Sequence, residues 1–289
     1  MATLTWQWLG NLGRADYLTG MESLHLKDRA IIALEGGEAR EFLQGLITND
    51  VGLLAPGRGL YAALLTPQGK ILFDFLVAEG DGALLLDCPA GHADGLLKRL
   101  TMYRLRAKIG IALRPQLSVY AGLSGRPAER AVSFPDPRLA ALGLRSIGAV
   151  AEMPDFLEGP AAYHAERVAL GVPEGGDFGS DKIFALDAGL DELHGVSFDK
   201  GCYVGQELTA RMKHRGTARK RILGLKAEHT LPSPGTAVMS DTTEIGEILS
   251  VYGSAGFSLM RLDRLVEAKA PLTAGNMAVT AFKPKWLEP

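Results

Sequence analysis

The chain has 289 residues, of which 47% are hydrophobic, 22% charged and 7% aromatic, and its formal net charge is −2. This composition leaves room for about two or three globular domains, and it excludes disordered and fibrous classes and a globally basic nucleic-acid binder. The opening MATLTWQWLGNLGRADYLTG has no basic stretch leading into a long apolar one and is poor in Arg and Ser, so neither export nor an organelle transit peptide is expected. The longest apolar runs fall far short of the ~18–20 residues of a membrane span. Two cysteines, Cys88 and Cys202, with no CxxC and no paired His or Cys, write neither a disulfide framework nor a zinc site, which fits a reducing cytoplasm.

In chain order, GGEAREFLQGLITNDV (36–51) places Phe42, Leu43, Leu46 and Ile47 on one face and predicts a helix that stops in a turn at Asn49 and Asp50. Three apolar runs between Gly59 and Ala90 are separated by TPQGK and EGDG, the signature of an antiparallel meander. GHADGLLKRLTMYRL then predicts a second helix, and KIGIALRP, QLSVYAGL and LAALGLRS predict short strands. Loops rich in Pro and Gly (SGRPAER, SFPDPR, EMPDFLEGP) decorate a second α+β unit. AAYHAERVAL (161–170) reads as a short helix, and GVPEGGDFGSDK as a Gly-rich connection over the surface. Beyond about residue 217 come short runs broken by Pro and Gly, the pattern of a small all-β barrel. The expected parts are therefore 1–114, 115–216 and 217–289, an α+β pattern without a repeating βαβ.

The chemistry-bearing stretch is KGCYVGQE (200–207). Gly201 and Gly205 allow unusual backbone angles, and VGQELTARMK can start a helix just after Cys202. The helix end, with Lys200 and Arg211, would then favour the thiolate of Cys202. Free cysteines are commonly buried as small hydrophobes, and on spacing alone that reading leads. Cys88, at the end of ALLLDC, reads as plain core. RMKHRGTARKR carries six Lys or Arg between 211 and 221, and MYRLRAK adds Arg104, Arg106 and Lys108; such runs suit phosphates, RNA or a polyglutamate tail, or are solvated faces. Asp74, inside the apolar KILFDFLV, is either on an edge or buried for a purpose, and a carboxylate edge matches the N–H groups of an aminopyrimidine. No Ser-His-Asp set, P-loop or GxGxxG is present, and GVPEGGDFG is too loose for a phosphate loop.

DKGCYVGQELTAR closely resembles the signature of the folate-binding YgfZ proteins, relatives of the glycine-cleavage T-protein that act in iron–sulfur cluster assembly or repair. FLQGLITNDV, TPQGKILFDFLV, MYRLRAKI, ERVALGVPEGGDF and FALDAGLDELHGVSFDKGCYVGQE resemble that family in the same order, over nearly the whole length. The resemblance implies a three-domain ring with two α+β units and a C-terminal β-barrel, around a channel that takes tetrahydrofolate. It implies Cys202 and Lys200 as the reactive pair. Asp74 is implied as the carboxylate beside the folate ring, with Tyr103, Arg106, Gly201, Tyr203, Gln206, Glu207 and Arg211 as further contacts.

One departure is clear: the T-protein's Arg-x-Glu, which supplies a glutamate to the pterin, is matched here by RVALG with Ala169. The leading expectation is thus a tetrahydrofolate-binding accessory protein for iron–sulfur enzymes or assembly proteins, with Cys202 as its thiol. A lone cysteine holds no complete cluster, so no stably bound metal is expected. The alternatives are an aminomethyl or other one-carbon transferase, which has no need of Cys202, and an RNA-contacting factor acting through residues 211–221.

Overall fold

The computed structural model describes residues 24–122, 131–149, 157–216 and 219–287. The N-terminal stretch, SGRPAER and most of EMPDFLEGP lie outside them. Three sheets carry the architecture. β1 (Leu24–His25) leads into β2 (Arg29–Glu35), β3 (Leu60–Leu65), β4 (Ile71–Gly80), β5 (Ala83–Pro89) and β6 (Gly110–Leu113), of which β2 to β6 form an antiparallel sheet in the order β3-β4-β5-β2-β6. The meander is β3-β4-β5, and Asp81 (φ 53°) and Gly82 (φ 74°) turn its second hairpin with the two positive φ angles that a tight two-residue loop needs.

The second sheet comprises β7 (Leu117–Gly122), β8 (Val132–Pro135), β9 (Leu144–Ala149) and β10 (Leu157–Glu158) in the order β10-β1-β7-β9-β8. It borrows β1, which pairs with β7 and β10, so the first described residues belong to the second unit rather than to the unit whose sequence they precede. The third is a seven-stranded antiparallel sheet, the nearly closed barrel expected after residue 217. Its strands are β11 (Lys220–Lys226), β12 (Ala237–Ser240), β13 (Thr243–Tyr252), β14 (Ala255–Arg261), β15 (Leu272–Ala274), β16 (Met277–Ala278) and β17 (Thr280–Phe282). The fold is α+β as expected.

Alternation explains how the first sheet is covered. Ile32, Leu34, Ala62, Leu64, Phe75 and Val77 face one core with α1 (Ala39–Gln44) and α2 (Ala93–Arg104), while Ile31, Ala33, Tyr61, Ala63, Leu76 and Ala78 face the second unit. Both faces are buried, which is why the strands read as continuous apolar runs. α1 is shorter than the 36–51 pattern suggests, because the chain breaks at Gly45 and resumes as a 3₁₀ turn, Val51–Leu53. At the end of α2, Leu105 takes φ 43°, ψ −104° in a turn closed by the Ala107 N–H donating to the Arg104 carbonyl at 2.7 Å. That is the first central position of a type II′ turn, which glycine dominates, and a leucine there stores about 1–3 kcal/mol of strain.

α3 (Pro160–Ala169) forms as expected, but the Gly-rich stretch after it is no surface connection. It contains α4 (Gly175–Phe178), with Glu174, Gly175, Asp177 and Phe178 buried and a reciprocal capping box between Glu174 and Asp177. The reason is charge. Four arginines, Arg29, Arg138, Arg145 and Arg167, are buried around this loop. Glu174 lies 3.3 Å from both Arg29 and Arg138 and 3.4 Å from Arg167, and Asp177 accepts from Arg167 at 2.6 Å. Arg29 also binds Asp87 at 2.6 Å, and Arg138 binds Asp136 at 2.7 Å. The barrel joins through Ser250 and Tyr252, whose hydroxyls donate to Asp177 at 2.6 and 3.0 Å. Thus one network ties β2 and β5, the second unit and the barrel together.

Burial alone would raise the carboxyl of Glu174, but Arg167, Arg29 and Arg138 hold it well below the usual carboxylate range. It stays ionised, and its stabilising contribution is present above the ordinary carboxylate range and lost only as pH falls toward its depressed value. Glu174→Gln leaves three buried guanidinium groups undercompensated and is expected to cost about 3–5 kcal/mol, read as a lowered midpoint in thermal or urea unfolding at neutral pH.

Candidate functional site

Asp74 points from β4 toward the second unit, on the same face as Leu76 and Ala78, and is 2% exposed. Its Oδ2 accepts from the Tyr61 hydroxyl at 3.0 Å, whereas Oδ1 is buried with no hydrogen-bond partner among the described residues. Gly175 presses on that oxygen so closely that a Cβ there would lie 2.4 Å away. Burial and the charge of Glu174 raise the carboxyl of Asp74. Tyr61 also lines a cleft of about 600 Å³, together with Asn49, Arg58, Asp136, His194 and Phe198. A cleft of that size takes a small heterocyclic ligand. A carboxylate oxygen lacking a donor is the chemistry that an aminopyrimidine N–H edge completes, although Asp74 is itself not among the residues that line the cleft and reaches it only through Tyr61.

Cys202 is exposed and Cys88 is buried, so the buried-thiol reading applies to Cys88 alone. Burial pushes the Cys88 thiol up to about 12. Cys202 does not sit at the first turn of a helix: α5 (Gln206–Arg215) begins only after Gly205, with the loop between. Gly205 is required there on two counts, a φ of 83° and a backbone approach in which a Cβ would meet the Thr66 carbonyl at 2.5 Å. Gly201 has open space around it.

Lys200 departs from the expected role of a cation beside the thiol. Its ammonium donates to the backbone carbonyls of Gln44, Ile47 and Asn49 at 2.8, 2.6 and 2.9 Å, which uses all three protons. Its charge also lies 5.1 Å from the centre of the Tyr203 ring. Burial pushes the ammonium down to about 8, so it keeps its charge at neutral pH. The lysine therefore staples the cysteine loop onto the end of α1. Arg211 is likewise committed, to Glu207 at 2.6 Å one helical turn away.

The remaining expected contacts scatter. Tyr103 packs on the helix-covered side of the first sheet, opposite the face that carries Asp74, and Arg106 is exposed beyond α2. The sheet stands between Asp74 and Tyr103, so the fold does not bring these two side chains together. Glu207 is exposed, Gln206 half-buried and Tyr203 buried. Within the basic run, Lys213 pairs with Asp191 at 2.9 Å and Arg221 with Glu192 at 2.6 Å, which withdraws part of the positive field expected for RNA. Glu174 joins this region without being marked by any motif in the sequence beyond the E-x-x-D spacing of Glu174 and Asp177 before a helix.

The arrangement of units defines the class. The chain superposes on the aminomethyltransferase T of the glycine cleavage system from Bartonella henselae with a TM-score of 0.69, over 92% of this chain and 87% of that one, at 16% identity, a likeness of fold. Residues 219–289 match the model of the CAF17 C-terminal β-barrel domain. The mitochondrial iron–sulfur cluster assembly factor IBA57 of Mus musculus is 33% identical over 310 residues, covering 90% of this chain and 84% of that protein. Its Homo sapiens counterpart is 32% identical with the same coverage. The chain belongs to this family of iron–sulfur cluster assembly factors. Those relatives are named as mitochondrial, where the sequence suggested cytoplasm; no helix among the described residues is long and apolar enough to cross a membrane.

The contrast between the two thiols has a direct readout. Native protein treated with an aromatic disulfide or iodoacetamide is expected to lose one thiol per chain, mapped to Cys202 by mass spectrometry, and Cys88 should react only after unfolding.

Proposed function

We propose that this chain serves iron–sulfur cluster assembly by presenting the Cys202 thiolate as one ligand to a cluster completed by a partner protein. The observation that carries this reading is the exposed Cys202 on a loop pinned by Lys200, in a chain of this family. Among the described residues no group of three His, Cys, Asp or Glu is placed to hold a metal. The cluster is then cargo. When the thiol binds, its proton leaves to solvent and the sulfur–iron bond replaces an exchangeable water or small-thiol ligand on that iron, which also leaves to solvent, while the other ligands are supplied by the partner.

The same proposal places tetrahydrofolate against Asp74. The support is the Oδ1 of Asp74, which has no hydrogen-bond partner among the described residues, and the cleft lined by Tyr61, whose hydroxyl donates to the other oxygen of Asp74. Bound there, the folate would supply one-carbon or reducing capacity, and the part of this chain is to hold its ring through Asp74 while Tyr61 orients the carboxylate.

Two variants separate the two halves. In cells lacking the native protein, Cys202→Ser is expected to fold normally yet fail to restore the activity of iron–sulfur enzymes; full rescue would show the thiol to be dispensable. In a tetrahydrofolate titration followed by tryptophan fluorescence, Asp74→Asn is expected to weaken binding by roughly ten-fold or more, because it replaces an acceptor with a donor. No binding by the wild type would remove the folate half and leave the thiol half standing.

A further inference from the structure

Leu105 is 87% exposed and Met102 60% exposed, the two most exposed large apolar side chains among the described residues. They sit together at the end of α2, Met102 one turn after the exposed Lys98, and Leu105 at the tip of the strained turn that closes the helix. Arg104, Arg106 and Lys108 surround them, all exposed, and none of these cations, nor Lys98, forms an ion pair among the described residues. Folding does not account for this. A leucine in the left-handed region adds strain, and its side chain buries almost nothing in return. Glycine would hold the same turn with less strain.

We propose that this ridge is a docking knob for an acidic protein partner, in which Leu105 and Met102 enter an apolar pocket and Arg104, Arg106 and Lys108 meet carboxylates around its rim. Charge sets the sign of the partner: four cations that form no ion pair among the described residues, against the carboxylate of Glu38 that accepts from the Lys108 backbone N–H at 3.0 Å, attract an acidic surface and steer its approach. The apolar pair sets its class. RNA recognition of single strands uses exposed aromatic rings, whereas Tyr103 is half-buried against the core and the exposed groups are Leu and Met. Two aliphatic side chains are too little to anchor a lipid surface, but a leucine projected outward from a hydrogen-bonded turn is a suitable anchor for a protein pocket. The ridge lies on the first unit, away from the Asp74 face of its sheet, and none of its residues lines the Tyr61 cleft, so partner docking and that cleft occupy separate surfaces.

This inference rests on the iron–sulfur assembly reading, because it assigns the protein partner of that process its contact. Leu105→Gly is the informative variant, since it relieves backbone strain while deleting the knob. The full chain with Leu105→Gly is expected to unfold at an equal or higher temperature than wild type, yet to restore iron–sulfur enzyme activity in deficient cells only weakly, in line with a partner affinity reduced roughly 30-fold. The double variant Arg104→Glu, Arg106→Glu should lose rescue too.

A photo-crosslinking residue at position 105 is expected to label an iron–sulfur assembly protein or client enzyme, and the adduct should vanish in the Arg104→Glu, Arg106→Glu background. Full rescue by Leu105→Gly overturns the knob, and so does an adduct with RNA or Leu105-dependent sedimentation with anionic phospholipid vesicles. Cys202→Ser run in parallel keeps the two readings apart: rescue by Leu105→Gly but not by Cys202→Ser refutes the docking knob alone, while rescue by Cys202→Ser refutes the thiol.

Discussion

The carboxylate of Glu174, held among Arg29, Arg138 and Arg167, is the interaction on which the rest of the structure depends. A buried cation without a counter-charge is too costly to persist, and four buried arginines at one junction require carboxylates from several segments at once. Asp87 comes from the first sheet, Asp136 from the second unit and Asp177 from the loop that carries Glu174; the barrel contributes hydroxyls. Such a network favours one relative placement of the three units, because separating the first two strands buried charges and moving the barrel removes two hydroxyl donors from Asp177. The two candidate groups lie at its margins: Asp74, whose buried Oδ1 has no hydrogen-bond partner among the described residues, and Cys202 on a loop stapled to α1.

Much of the fold was legible because both faces of the first sheet are apolar and its turns carry their own punctuation. The three runs around TPQGK and EGDG could only be a meander, and the change to short Pro- and Gly-broken runs after residue 217 marked the barrel. What could not be read was whatever depends on partners distant in sequence. GVPEGGDFG resembles a surface loop because its glycines and acids are local facts, whereas the arginine that buries Glu174 on one side lies 145 residues earlier. Lys200 next to Cys202 suggests an activating cation for the same reason: adjacency in sequence is visible, while the three carbonyls that take its protons belong to residues 44, 47 and 49.

Asp74 shows the middle case. Its place inside KILFDFLV marked it as unusual, but alternation in a run apolar on both sides does not say which face a residue takes. The register of β4, with Asp74 opposite Ala63, settles that it faces the second unit. The departure at Ala169 also acquires a context. The helix that carries it ends there, and the nearest buried acid downstream, Glu174, is already saturated by guanidinium groups. The fold shared with the aminomethyltransferase therefore does not bring a second free carboxylate to Asp74, and the likeness of architecture says less about chemistry than the exposed thiol does.

The exposed Cys202 thiol, with no group of three His, Cys, Asp or Glu placed to hold a metal among the described residues, supports the proposal that a cluster is completed only with a partner. The most direct measurement is anaerobic reconstitution of the purified full chain with ferrous iron and sulfide, followed by desalting, absorbance spectroscopy and iron analysis. The account predicts that no cluster chromophore is retained by the isolated chain. A stable four-iron, four-sulfide cluster bound per monomer would contradict it.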